Sequence, residues 1–189
     1  MLKSFFCVFV FFVAVCNSFA ENEACKKVIK NFWDGYTFVK PETIRYISMD
    51  FYAKANQSTY SRKSFENYIK DFNSYKDLVR KKQYAEAMTL FKKLLEQSSV
   101  KAVKRDTRTW TQLSEKERQA LINFMKSSLK TNKYMVKQNQ TMQIKEFTIK
   151  GNNAFAVITF KNPLDQTMTH KITLVKTKGK WLVEKIEIN

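Results

Sequence analysis

Three glycines, two prolines, three cysteines and one histidine are all that the 189-residue chain contains of these types. Each shortage closes something off. With Gly35, Gly151 and Gly179 so far apart, no Gly-rich loop can cradle a phosphate, and long segments run without a breaker. A lone His170 excludes a two-histidine metal site. No carboxylate cluster has calcium-loop spacing. Cys7 and Cys16 fall in an N-terminal leader, so a mature chain keeps only Cys25 and can form no internal disulfide. Stability must then come from an ordinary core, which one domain of this length can bury without staples.

The leader reads as follows. Lys3 precedes an unbroken apolar run from Phe5 to Val15, and Ser18-Phe19-Ala20 closes it as a small-x-small cleavage site. This is the pattern of a secretory signal peptide over residues 1–20, too short for a permanent span. An uncleaved anchor is one alternative. A lipoprotein is another, with Val13-Ala14-Val15-Cys16 as the lipidation site, although bulky Val15 stands where that signal wants a small residue. Either exported location, periplasmic or secreted, is expected. No later apolar run is long enough to cross a bilayer.

Positive charge is abundant. Lys and Arg number 34 against 17 acids, for a net charge of +17, and Lys outnumbers Arg 28 to 6. Lys is a hydrated point charge, whereas Arg is the fork suited to planar phosphate recognition. The cations are spread along the chain, with short clusters at Arg80-Lys81-Lys82 and from Lys101 to Arg108. A Lys-rich solvated surface accounts for this, and attraction to an anionic membrane surface is its functional counterpart. Nucleic acid is not expected as a partner. Zinc-finger spacing, an aromatic ribonucleoprotein motif and a recognition helix are all missing.

The first two-thirds of the chain reads as helical. Glu23 to Tyr36 places Val28, Ile29, Phe32 and Trp33 on one face. Pro41 opens a further expected helix through Ile44, Ile47 and Phe51. Ser64 to Arg80 and Tyr84 to Leu95 repeat the helical pattern. Ser114 and Glu117 then form a capping box, and Leu121, Phe124, Met125 and Leu129 make a stripe expected to cover a sheet. After Tyr134 the period becomes two. Met142 to Ile149 alternates, with a bulge near Lys145-Glu146. Ala154 to Phe160, Thr169 to Lys176 and Trp181 to Ile188 follow as strands, separated by turns at Gly151-Asn152-Asn153, Asn162 to Asp165 and Lys178-Gly179. The expected fold is a single α+β domain over residues 21–189. Its helical part, 21–135, packs on a curved four-stranded antiparallel sheet, 136–189.

Ile29-x-Asn31-Phe32-Trp33-x-Gly35-Tyr36, followed by Tyr46-x-Ser48-x-Asp50-Phe51, resembles the opening of nuclear transport factor 2-like, or SnoaL-like, domains. Lys178-Gly179-Lys180-Trp181-Leu182-Val183 resembles their last hairpin. The resemblance implies a cone-shaped, cystatin-like arrangement with a pocket at its wide end. A helical insertion over roughly residues 60 to 130 departs from it. Trp110, Leu113-Ser114, Arg118, Phe124, Leu129 and Tyr134 followed by four strands resemble the MlaC family, soluble periplasmic phospholipid carriers, with Trp181-x-Val183 matching the opening of their final strand.

These readings make the chain an exported, non-catalytic binding protein for a hydrophobic or amphipathic small molecule, with a periplasmic lipid carrier as its specific form. The candidate pocket is aromatic-rich: Trp110, Phe124, Met125, Leu129, Tyr134, Phe147, Phe155, Phe160 and Trp181. No cofactor, metal ligand or catalytic residue is expected. The second reading is a protein-interaction or assembly module, with the sheet face as a homodimer surface. The third is a pocket enzyme drawing on Asp34, Tyr36, Asp50 or His170. For the carboxylates, helix-end capping and solvation are the plainer roles. For His170 a solvated or cross-strand place is expected. Cys25 is expected near a poorly ordered end. Lys82 to Phe91 looks like half a tetratricopeptide unit, and one hairpin cannot build a solenoid, so core packing is expected. Asn56-Gln57-Ser58 and Asn139-Gln140-Thr141 match glycosylation acceptors, relevant only to a eukaryotic source.

Overall fold

The computed structural model describes residues 2–55, 58–97, 107–130 and 132–188, with the side chains of residues 2–18, 55, 58, 59, 97 and 188 outside that description. Asn56 and Gln57 of the first acceptor pattern, and Lys101, Lys104 and Arg105 of the second basic cluster, also lie outside the described residues. Among the described residues no helix is long and apolar enough to cross a membrane.

Helix α1 runs from Leu2 to Phe38, so the expected cleavage point after Ala20 falls inside it. Its C-terminal half buries Cys25, Ile29, Phe32 and Trp33, the i, i+4, i+7, i+8 pattern of a face turned to the core. Each large side chain fully buried there contributes roughly 1.5–3 kcal/mol by removal from water. Cys25 is thus a core residue and not part of a frayed end, because the helix carries it onto the sheet. The helix ends in a Schellman arrangement. Lys40 N–H donates to Gly35 O at 2.8 Å, Val39 N–H donates to Tyr36 O at 3.4 Å, and Val39 takes the left-handed conformation, φ 53°. Pro41 then opens a 3-10 turn, Pro41–Tyr46, that folds back over α1. Gly35 makes room for it, since a Cβ there would lie 2.3 Å from Thr43 Oγ1.

The sheet has six strands where four were expected. Strands β1 (Ile47–Ala55) and β2 (Ser58–Ser61) form a hairpin before the predicted meander, which comprises β3 (Gln143–Lys150), β4 (Asn153–Lys161), β5 (Thr167–Thr177) and β6 (Lys180–Ile188). The order is β2-β1-β6-β5-β4-β3, antiparallel throughout except that β1 runs parallel to β6. The helix expected through Ile47 and Phe51 is therefore a strand. Its buried residues Ile47, Ser48, Phe51 and Ala53 fit an alternation interrupted by a register shift between Ile47 and Tyr52, and that shift imitates a four-residue helical spacing. The expected bulge is present, as a register shift between Ile144 and Glu146. Lys178 and Gly179 both have positive φ, 51° and 76°, as a two-residue hairpin turn requires.

Helix α2 (Arg62–Arg80) and helix α3 (Tyr84–Gln97) form a hairpin, so Lys82 to Phe91 packs as core. Helix α4 (Glu115–Ser128) carries the predicted capping box: Ser114 N–H donates to Glu117 Oε2 at 2.8 Å, and Glu117 N–H to Ser114 Oγ at 3.4 Å. Helix α5 (Lys133–Gln140) occupies a stretch expected to lead into the sheet. Two buried clusters result. One joins the inner face of the curved sheet to α1 and the start of α2. The other joins α2, α3 and α4, and the two meet through Tyr68 and Phe72 of α2. The α4 stripe thus covers helices, not the sheet: fully buried Met125 lies with Tyr75, Val79, Ala87 and Met88.

Candidate functional site

A cavity of about 290 Å³ opens where α1 ends. The last turn of α1 gives it Tyr36 and Thr37, and the left-handed Val39 follows. A β-branched residue with positive φ is strained, and such strain persists only where surrounding structure imposes it. Ala53 of β1 and Tyr60 of β2 form a second wall, Phe65 and Tyr68 of α2 a third, and Met135 and Gln138 of α5 a fourth. The walls are mostly apolar, and the polar groups are hydroxyls and one amide.

The tyrosines are held by aromatic packing. The Tyr36 ring stacks on Phe65 (centroids 5.7 Å apart), on Phe32 (5.5 Å) and on Trp33 (6.0 Å), while Tyr68 stacks on Phe72 at 6.0 Å. Burial pushes the Tyr36 phenol up to about 12, helped by the nearby phenols of Tyr60 and Tyr68. Burial, then Tyr60, also raises Tyr68. Both stay protonated at neutral pH and can donate hydrogen bonds. Thr37 is buried, and its hydroxyl has no partner among the described residues.

Helix α5 is pinned beside the cavity by polar bonds. Asn139 Nδ2 donates to Asp34 Oδ1 at 3.1 Å, and the other Asp34 oxygen accepts from Lys40 Nζ at 2.6 Å. Lys161 N–H donates to Thr141 Oγ1 at 2.9 Å, and Lys137 pairs with Asp165 at 2.5 Å. Asp34 therefore serves as a tie between α1 and α5.

None of the nine residues expected to line a pocket lines this cavity. Trp110, Met125 and Leu129 belong to the helical cluster, because α4 packs on α2 and α3. Phe160 and Trp181 are buried in the sheet core, with Phe147 packed against it. Phe124, Tyr134 and Phe155 are 50%, 43% and 46% exposed, so they do not converge with the others. Phe124 instead meets Phe91 edge-on at 5.5 Å.

His170 is buried on β5, not solvated. Its ring lies edge-on to Phe160 (4.7 Å) and Trp33 (5.7 Å), and its Nδ1 bonds Thr169 O at 2.9 Å. Burial lowers its pKa, so the neutral ring is the favoured form. Asp50 is exposed on β1. Burial pushes the Cys25 thiol up to about 12, which leaves it a poor nucleophile. Among the described residues no group of three or more His, Cys, Asp or Glu side chains could hold a metal ion.

Sequence reasoning named Tyr36 and missed the rest of the lining. One signal was available for part of it: Tyr36 and Tyr68 lie on apolar helical faces where phenylalanine would pack as well.

No protein-family model matches the chain, and no curated protein does at a significant level. Solved structures do. A function-unknown protein from Mycobacterium tuberculosis, solved as a point variant, matches 93% of this chain and 74% of its own at 7% identity, TM-score 0.45. A nuclear transport factor 2-like protein of unknown function from Shewanella oneidensis matches 87% and 95% at 9% identity, TM-score 0.38. A design of the same fold name matches 89% and 99% at 11% identity, TM-score 0.43.

Proposed function

We propose that this chain is a non-catalytic binding protein that holds a small hydrophobic or amphipathic ligand between α1, the β1–β2 hairpin, α2 and α5. One observation carries this reading: a cavity of about 290 Å³ with apolar walls and a few hydroxyls, the usual composition of a ligand pocket. The volume is close to the low end of such pockets. It suits a single acyl chain or a small ring system better than a two-chain phospholipid. Lipid carriage in the manner of the MlaC family is thus narrowed here to a one-chain lipid.

Export belongs to the same proposal, motivated by the leader ending at Ala20. Its check is the intact mass of the protein recovered from its own host. Native mass spectrometry and solvent extraction of the purified protein test the ligand. A bound small amphiphile is expected, and a chain that takes up none when offered one would end the reading.

Assembly through the sheet keeps a secondary claim. Phe155 lies near the start of β4 and is nearly half exposed on the face away from α1. A concentration-independent monomer by light scattering would remove it.

A further inference from the structure

The cavity has hydroxyls and an amide but no Lys, Arg, Asp or Glu among its described lining residues, in a chain that is 27% charged. A charged head group buried there would have no counter-ion, and an unpaired buried charge is strongly disfavoured. The phenols of Tyr36 and Tyr68 line the cavity, and the buried hydroxyl of Thr37 beside them has no partner among the described residues. These donors come from two different helices, α1 and α2, and converge on one space. Gln138 adds an amide from α5.

We propose that the occupant is an uncharged amphiphile: one apolar chain or small ring system ending in an alcohol or carbonyl oxygen, bonded by the phenols of Tyr36 and Tyr68. This rests on the cavity being a ligand site and adds the chemistry of the ligand's polar end. The apolar part lies against Val39, Ala53, Phe65 and Met135. A phenol both donates and accepts, so an alcohol can be satisfied in both senses. The upward pKa of Tyr36 agrees, because it keeps the phenol a donor at neutral pH.

The test is calorimetric titration of the purified protein at pH 7 with 1-octanol, octanoate, octylamine and naphthalene. Octanol is expected to bind at least about tenfold more tightly than octanoate or octylamine. Tyr36→Phe and Tyr68→Phe should each weaken octanol by roughly 3- to 10-fold and leave naphthalene no weaker. Circular dichroism checks that both variants fold, and the octanol-to-octanoate ratio of the unaltered protein stands without them. Octanoate or octylamine binding as well as octanol would overturn the neutral head group and leave the cavity reading intact. Unchanged octanol affinity in both variants would overturn the role of the phenols. Failure of all four probes to bind would remove the cavity reading itself, and this proposal with it.

Discussion

Single residues decide how α1 meets the rest of the molecule. Gly35 is needed for close approach, since the Cβ of any other residue would sit 2.3 Å from Thr43 Oγ1. Gly35→Ala should therefore destabilise the fold by roughly 1–3 kcal/mol, read from a lowered urea midpoint. The expected sign is notable because Gly→Ala inside a helix ordinarily stabilises. His170 sets a pH dependence. Its folded pKa lies below the ordinary 6.5, so on acidification the unfolded chain takes up the proton first. The stability this neutral ring contributes is complete above about 6.5 and falls as pH drops below that value. Thermal melts should show a lower Tm at pH 5 than at pH 7, with that difference reduced in His170→Phe. A single histidine was evident in the sequence, but its burial was not. The pattern Thr169-His170-Lys171 reads equally well with either face inward, and pairing with Ile158 and Ile188 selects the inner one.

Elements were legible where their boundary chemistry is local. The Ser114–Glu117 capping box involves residues three apart, so it could be recognised without the fold. Ser114→Ala should cost about 1 kcal/mol, seen as a lower melting temperature and faster amide exchange in the first turn of α4. The Glu117 carboxyl is held near 2 by the Ser114 backbone N–H, then by the Ser114 hydroxyl and Arg108. This cap therefore weakens as pH falls from the ordinary carboxylate range toward 2. Strand β1 was not legible, because its bulge spaces Ile47 and Phe51 like a helix. What holds that bulge is distant in sequence: one Arg62 guanidinium nitrogen donates to Ile47 O at 2.7 Å and Ser48 O at 3.0 Å. Replacing Arg62 with Met should leave both carbonyls short of a partner, destabilise by roughly 1–3 kcal/mol and raise amide exchange in β1 before β5. Unchanged exchange protection in β1 of that variant would contradict this account of the bulge.

At the scale of the molecule, charge and topology act separately. A net charge of +17 repels itself, and exposed ion pairs such as Arg80–Asp77 offset little of that. Melting temperature should rise as sodium chloride goes from about 0.01 to 0.15 M, over which the screening length drops from about 30 to 8 Å. A fall in melting temperature would mean that the ion pairs outweigh the repulsion. By itself the sequence determined the α+β class, the four-strand meander with its turns and bulge, the capped α4 and the basic surface. These depend on periodicity, turn residues and composition, which act within a few positions of the chain. The tertiary structure alone decided that β1 joins β6 in parallel, that α4 packs on helices, and that the aromatic candidates disperse between two cores and the surface. It also placed Tyr36, Tyr60, Tyr68 and Gln138 around one cavity. Those outcomes depend on contacts between residues far apart in the chain, and local periodicity shows that a face is apolar without showing what will cover it.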